Sequence, residues 1–257
     1  MNKIAYIQQQ NNDWLNDNCY ILSQAFKRMG YTVKTFEKFP SKYVDMHRII
    51  NQPQLGSIVF GGLNTMKEIM ESNGIIIPSI YNIHEHLPDY YTRKIAESTV
   101  AQIKLFDLDQ YPFFVKPLNS YKTFTGFVAK TPFDIQVKLQ NIDDNEKLLL
   151  SSIVDFDSEF RCFILDKKLI GCKNYTGSFK MLPDFDFIND AIQHFYDQPI
   201  AYTLDFGIIT PNIIEQTELI EINDGYGFGS YGFNPILYAK MVEARWIEIT
   251  KGTLWDI

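Results

Sequence analysis

Tyr202-Thr-Leu-Asp-Phe-Gly-Ile-Ile209 and Leu219-Ile-Glu-Ile-Asn-Asp-Gly-Tyr-Gly-Phe-Gly229 are the runs on which the reading of this sequence turns. Both have strand character, and both carry oxygen-rich side chains. In the second run a period of two sends Glu221 and Asn223 to one face while Ile220 and Ile222 take the other. A core strand has little reason to place Glu-x-Asn on its inner side. Asp205 lies 16 positions before Glu221, and a turn at Thr210-Pro-Asn212 would pair the runs antiparallel and set Asp205 across from Glu221. Two carboxylates and an amide oxygen on one patch suit magnesium, which keeps several waters and takes further ligands from nucleotide phosphates. Taken alone, the same residues are equally compatible with a solvated hairpin face, because acids are mostly exposed.

The 257 residues suffice for one large domain or two small ones, and a 46% hydrophobic content can fill a sizeable core. A net charge of −7 argues against a broad nucleic-acid surface, which would leave a basic stripe. Cys19, Cys162 and Cys172 have no Cys-x-x-Cys spacing, so neither a zinc ribbon nor a disulfide framework is expected. They read as buried thiols of a cytoplasmic protein. No run approaches the ~18 apolar residues of a membrane span, and the N-terminal apolar run is too short for a signal peptide.

Strands are expected at 3–8, 31–36 and 56–60, with helices at 18–29, 45–50 and 65–71. Gly30 closes the first helix as a C-terminal glycine should. This alternation predicts a small α/β domain with parallel strands over residues 1–88. Gly61-Gly62 could admit an anion at the next helix, although a tight turn needs glycine anyway. The linker over 82–89 contains His84-Glu-His86, which lacks the spacing of a helical metal site and reads as surface. A helix is expected over 91–104, its Arg93 and Lys94 facing either solvent or a cleft.

Pro112-Phe-Phe-Val-Lys-Pro117 and Phe127-Val-Ala-Lys130 read as two strands joined by a polar loop. Lys116 ends an apolar strand where its charge wants an anion, and Lys122 and Gly126 flank a loop that could fold over phosphates. An ordinary exposed hairpin with solvated lysines is the competing reading. The apolar run 148–154 predicts a buried strand; the next, 159–165, sets Glu159 and Arg161 on one face, where they could pair with each other. A turn at Asp166-Lys-Lys168 then returns a strand, 169–175, that brings Lys173 to the same surface. A helix over 190–196 precedes the hairpin of the opening runs, and a terminal helix over 235–249 follows it. Gly227-Phe-Gly-Ser-Tyr-Gly232 matches a dinucleotide fingerprint, but too few residues follow for the ~30-residue βαβ unit, so the loop is expected to border a substrate pocket. No Walker-type phosphate loop occurs.

The ordered set Lys116, Lys122, Glu159-x-Arg161, Lys173, Asp205, Glu221-x-Asn223 resembles the ATP-grasp superfamily, and most closely its compact clade of peptide-ligase-like proteins. The resemblance covers about 91–246 and is strongest at 114–117 with 122–126, at 158–163 and at 219–225. It implies an α/β and α+β chain in which two α+β subdomains clamp ATP, with the ATP-grasp domain over 89–257 and a flap subdomain at about 110–150. It further implies that Lys116 contacts the α- and β-phosphates, that the Lys122 loop covers the triphosphate, and that Ser152, Ile153 and Val154 line the adenine. Glu159 would take the ribose, Arg161 and Lys173 would face the developing acyl phosphate, and Asp205, Glu221 and Asn223 would hold magnesium. Many relatives carry Gln-Glu where this chain has Ser151-Ser152, so adenine recognition would rest on backbone groups. The implied activity is ligation of a small-molecule or peptide carboxylate to an amine. Phosphotransfer without ligation and non-catalytic nucleotide binding are the alternatives.

Overall fold

A computed structural model describes residues 3–37, 57–79, 85–118 and 123–253, so the helix expected at 45–50, His84 and Lys122 lie outside the described residues. Three four-stranded sheets carry the architecture. The first contains β1 (Ile4–Gln10), β2 (Asp13–Trp14), β3 (Thr32–Glu37) and β4 (Ile58–Phe60), with β3 and β4 both parallel to β1 and on opposite sides of it. Helix α1 (Asp17–Arg28) starts at Asn16, whose side chain accepts from the Cys19 amide, and α2 (Leu63–Ser72) follows the Gly61-Gly62 turn. The core beneath this sheet also takes in Phe163, Tyr238, Met241 and Trp246, so α6 (Pro235–Thr250), at the far end of the chain, closes the N-terminal unit.

The second sheet has the order β5 (Ile95–Thr99), β8 (Lys147–Ser151), β6 (Phe113–Pro117), β7 (Phe127–Ala129), all antiparallel. Short helices α3 (Val100–Ile103) and α4 (Pro132–Lys138) cover one face, where Val115, Leu148 and Leu150 pack on Ile103 and Ile135. The helix expected over 91–104 is therefore a strand with one helical turn after it. Residues 95–99 have little local strand signal, and pairing along the apolar β8 decides their conformation.

The third sheet runs β10 (Lys168–Gly177), β9 (Ser158–Leu165), β11 (Ala201–Ile209), β12 (Gln216–Asp224) and is antiparallel throughout. Helix α5 (Phe185–His194) packs on one face, where Leu204, Phe206, Leu219 and Ile222 meet Ile188 and Ile192. Regular alternation would put Ile220 beside Ile222 in this core. Instead a bulge falls at Ile220: Asp205 pairs with Glu221 and Phe206 with Leu219, so Leu219 takes the core position and Ile220 is half-buried. The bulge lets a strand with two adjacent apolar residues keep Glu221 and Asn223 on the opposite face.

Candidate active site

Register across the third sheet places Lys173 opposite Arg161, Arg161 opposite Asp205, and Asp205 opposite Glu221. Directly opposed residues of antiparallel strands share a face, so the four form one row perpendicular to the strands. The next row contributes Asn223 beside Thr203. The predicted pairing of Asp205 with Glu221 is thus the observed one.

Within the row the charges are tightly partnered. Arg161 donates Nε to Asp205 Oδ1 at 2.7 Å and Nη2 to Oδ2 at 2.6 Å, a two-point contact between two buried side chains. Burial pushes the Asp205 carboxyl up to about 6, with Arg161 working against that rise. Asn223 donates Nδ2 to Glu221 Oε1 at 3.1 Å. Lys116, reaching over from the second sheet, lies with Nζ 3.6 Å from Glu221 Oε2, which spans the cleft between the sheets. Burial pushes the Lys116 ammonium down, opposed by Glu221 and reinforced by Arg93. A buried lysine with one half-exposed carboxylate for company is under-neutralised and suited to a polyanion.

Glu159 and Arg161 do not pair. Tyr175 donates its hydroxyl to Glu159 Oε2 at 2.6 Å, while the Arg161 guanidinium lies 4.8 Å from the centroid of the Tyr231 ring. Tyr231 in turn stacks on Tyr175, with centroids 4.8 Å apart. Arg161 also donates Nη1 to the Gly229 carbonyl at 3.4 Å, so the glycine loop is drawn over the row.

Ser152, Ile153 and Val154 leave β8 and lead to β9, forming the connection between the second and third sheets. The Ser152 amide donates to the Lys94 carbonyl at 2.9 Å, and the Lys94 amide returns a bond to Ser152 Oγ at 3.1 Å. Phe156 lies flat enough against Gly207 that any side chain there would meet its ring at 2.1 Å. This close approach anchors the connection to the third sheet.

Two residues essential to this geometry are absent from the sequence-based set. Arg93 donates Nη1 to Glu218 Oε1 at 2.6 Å, Nη1 to the Leu219 carbonyl at 2.7 Å and Nη2 to the Ile220 carbonyl at 2.7 Å. Glu218 is fully buried and also accepts the Thr92 hydroxyl. Arg93 thereby satisfies carbonyls at the bulge and bolts the second sheet to the strand bearing Glu221. The second residue is Tyr231, whose φ of +44° is uncommon outside glycine. The only sequence signal for either was an arginine ahead of a strand and an aromatic inside a glycine-rich loop.

Among the described residues no group of three or more His, Cys, Asp or Glu side chains is arranged to hold a metal ion. The candidate donors here are two acids and an amide, and both Asp205 oxygens already accept from Arg161. Glu221 and Asn223 are the more available oxygen donors, and a pair of protein ligands on an open face fits magnesium, which usually takes one or two carboxylates plus phosphates.

A family model of the ATP-grasp domain, the second family of its clade, matches residues 90–241, more than half of the chain. The chain belongs to this family. Solved structures of the ATP-grasp fold align over nearly its whole length. D-alanine–D-alanine ligase from Bacillus anthracis matches with TM-score 0.59 and 12% identity, covering 98% of this chain and 99% of that one. A RimK domain ATP-grasp protein from Sphaerobacter thermophilus gives 0.57 and 12%, covering 94% and 98%. N5-carboxyaminoimidazole synthetase from Staphylococcus aureus, complexed with ADP, gives 0.55 and 14%, covering 100% and 80%. At these identities the likeness establishes the ATP-grasp fold. No curated protein matches the chain. Among the described residues no helix is long and apolar enough to cross a membrane.

Proposed function

We propose that this ATP-grasp protein is an ATP-dependent carboxylate–amine ligase working through an acyl phosphate, with the nucleotide held between the second and third sheets. The domain over 89–257, with its flap at about 110–150, would form the clamp, and residues 1–88 the front domain. The observation that carries this reading is the convergence of Lys116 on the row Lys173, Arg161, Asp205, Glu221. Cations from two sheets and acids from one meet in a single cleft, as a nucleotide triphosphate with its counter-ion requires.

In this reading Lys116 contacts the α- and β-phosphates and Lys122 closes over the triphosphate. The 152–154 connection receives the adenine: its backbone groups offer hydrogen bonds, and Ile153, left 44% exposed, supplies an apolar surface for the ring. Glu159, steered by Tyr175, takes the ribose hydroxyls. Glu221 and Asn223 would hold magnesium, with Asp205 offering only the lone pairs that Arg161 leaves. When bound, the metal supplies charge neutralisation at the β- and γ-phosphates.

The substrate carboxylate oxygen attacks the γ-phosphorus, the bond to the β-bridging oxygen breaks, and ADP leaves with that electron pair. Arg161 and Lys173 face the transferred phosphoryl group and stabilise its charge without rearranging, because Asp205 and the Tyr231 ring already fix Arg161. An amine then attacks the acyl carbon, loses its proton and expels phosphate. Water exclusion by the flap and the glycine loop protects the acyl phosphate. Likeness to ligase structures, one of them B. anthracis D-alanine–D-alanine ligase complexed with ATP, supports the reading. The three free thiols, Cys19, Cys162 and Cys172, suit a cytoplasmic setting.

The test is calorimetric titration of magnesium–ATP into the wild type and into Lys116→Ala and Glu221→Ala, with ADP release followed across panels of carboxylates and amines. The reading expects saturable binding weakened at least tenfold in both variants, and ADP release that requires both co-substrates. Binding unaffected by the two substitutions overturns the site. ADP release with a phosphorylated product and no amine requirement overturns ligation in favour of phosphotransfer.

A further inference from the structure

A cavity of about 350 Å³ opens where β1 ends and β3 and β4 flank it. The end of β1 supplies Gln8, Gln9 and Gln10, and the first turn of α2 supplies Leu63, Asn64 and Thr65. Gln8, only 3% exposed, is fixed at both ends: its Oε1 accepts from the Gly62 amide at 2.7 Å and its Nε2 donates to Thr65 Oγ1 at 3.2 Å. The wall is thereby rigid, and its other amides are left to face the opening. Among the described residues, none lining the cavity carries a charge.

Its position ties it to the site. A side chain on Gly227 would run into Leu63 at 2.6 Å, so the glycine loop lies directly against a lining residue. The same loop is pinned to the front domain by the Ser230 amide, which donates to Asn18 Oδ1 at 3.1 Å. Gly227 is four positions beyond Asn223 on the same chain segment. The cavity therefore borders the face of the cleft left for the co-substrates once the nucleotide occupies the other.

We propose that this cavity binds the neutral amide portion of a small peptide-like substrate, an inference that rests on the ligase reading above. Side-chain amides both donate and accept, which matches a carboxamide or peptide group, whose own donor and acceptor lie side by side. A carboxylate or an ammonium would lose hydration there without meeting an opposite charge. The volume lies near the lower end of the ~300–1,000 Å³ range of ligand pockets and suits a dipeptide-sized group.

The experiment titrates the full chain, without nucleotide, with N-acetylglycinamide, acetate and methylammonium in turn, following amide chemical shifts. N-acetylglycinamide is expected to shift the Gln and Asn side-chain amides of the cavity and to bind at least tenfold more tightly than either ion. Gln10→Ala with Asn64→Ala, at two exposed positions, is expected to weaken that binding at least fivefold, and Leu63→Trp to abolish it by filling the space. Preference for acetate or methylammonium, or N-acetylglycinamide binding that ignores these substitutions, overturns the inference. Magnesium–ATP titration of the same samples separates the two readings: intact nucleotide binding without amide binding overturns the cavity assignment alone, and amide binding without nucleotide binding overturns the ligase reading.

Discussion

Arg161 and Asp205 oppose each other across β9 and β11 and are joined by two hydrogen bonds, of 2.7 and 2.6 Å. This contact determines how the site responds to pH. Burial lifts the Asp205 carboxyl from 3.8 to about 6. A raised folded-state value means that the group's contribution to stability is complete below 3.8 and is lost as pH rises through about 6. Function runs the other way, because only the ionised carboxylate accepts both Arg161 donors. Magnesium–ATP affinity is expected to fall as pH drops through about 6 in the wild type, whereas Asp205→Asn binds weakly with no step there. In urea, the stability of the wild type relative to Asp205→Asn should decline between pH 3.8 and about 6. Calorimetry and urea unfolding across pH 3.5–7.5 (about four units) check both; an unchanged acid limb in the variant would assign it to another group.

Arg93 and Glu218 form the second ionic anchor, and here the expectation concerns stability. Glu218 has no exposed surface, so Arg93→Ala leaves a buried carboxylate without its cation. Breaking a buried pair from one side costs about 3–5 kcal/mol. The bulge carbonyls of Leu219 and Ile220 lose their donors at the same time. Arg93→Ala and Glu218→Ala should each lower urea stability by about that amount, and Arg93→Leu with Glu218→Leu by clearly less than their sum. Additive losses in the cycle would mean that the pair does not act as a unit.

Much of this arrangement was legible because strand period and pairing are local. The spacing of Glu221 and Asn223, the 16 positions back to Asp205 and the turn between them were enough to fix the register at Asp205 and Glu221. Glu159 and Arg161 shared a face for the same reason, but their partners came from strands 16 and 44 positions away, and spacing within one strand says nothing about those. Ile220 was misplaced because a bulge changes the period at one residue, and its cause, the Arg93 guanidinium, lies 127 positions upstream. Residues 95–99 read as helix because their strand state comes from β8 rather than from their own side chains.

Tyr231 is expected to position Arg161. Its ring sits between the guanidinium and Tyr175, and its backbone is held at φ +44°. A cation–π contact at a partly exposed site is worth about 0.5–1 kcal/mol, rising to about 2 when desolvated. Tyr231→Ala should therefore weaken magnesium–ATP binding roughly threefold to tenfold or lower turnover by a similar factor, while Tyr231→Phe stays close to wild type. Tyr231→Gly removes the same ring but relieves the backbone conformation, so it should unfold at a higher temperature than Tyr231→Ala. Equal binding in all three variants would remove Tyr231 from the site.

Gly207 offers a way to move the proposed adenine segment without touching it. A methyl group at this position would lie 2.1 Å from Phe156 Cδ1 and 2.4 Å from Cε1, a distance no relaxation of the ring in place can absorb. Gly207→Ala must therefore expel Phe156 from the third sheet and displace the 152–157 connection, even though the Asp157 amide still has the Ile208 carbonyl at 2.8 Å to hold it. Overpacking of this kind costs about 1–3 kcal/mol. The expected result is a modest loss of urea stability together with a much larger loss of ATP affinity, because Ser152, Ile153 and Val154 follow the displaced ring. Phe156→Ala in the Gly207→Ala background removes the clash and should return part of the affinity. Recovery of stability without recovery of ATP binding would mean that Phe156 itself, rather than the path it gives the connection, supports the nucleotide.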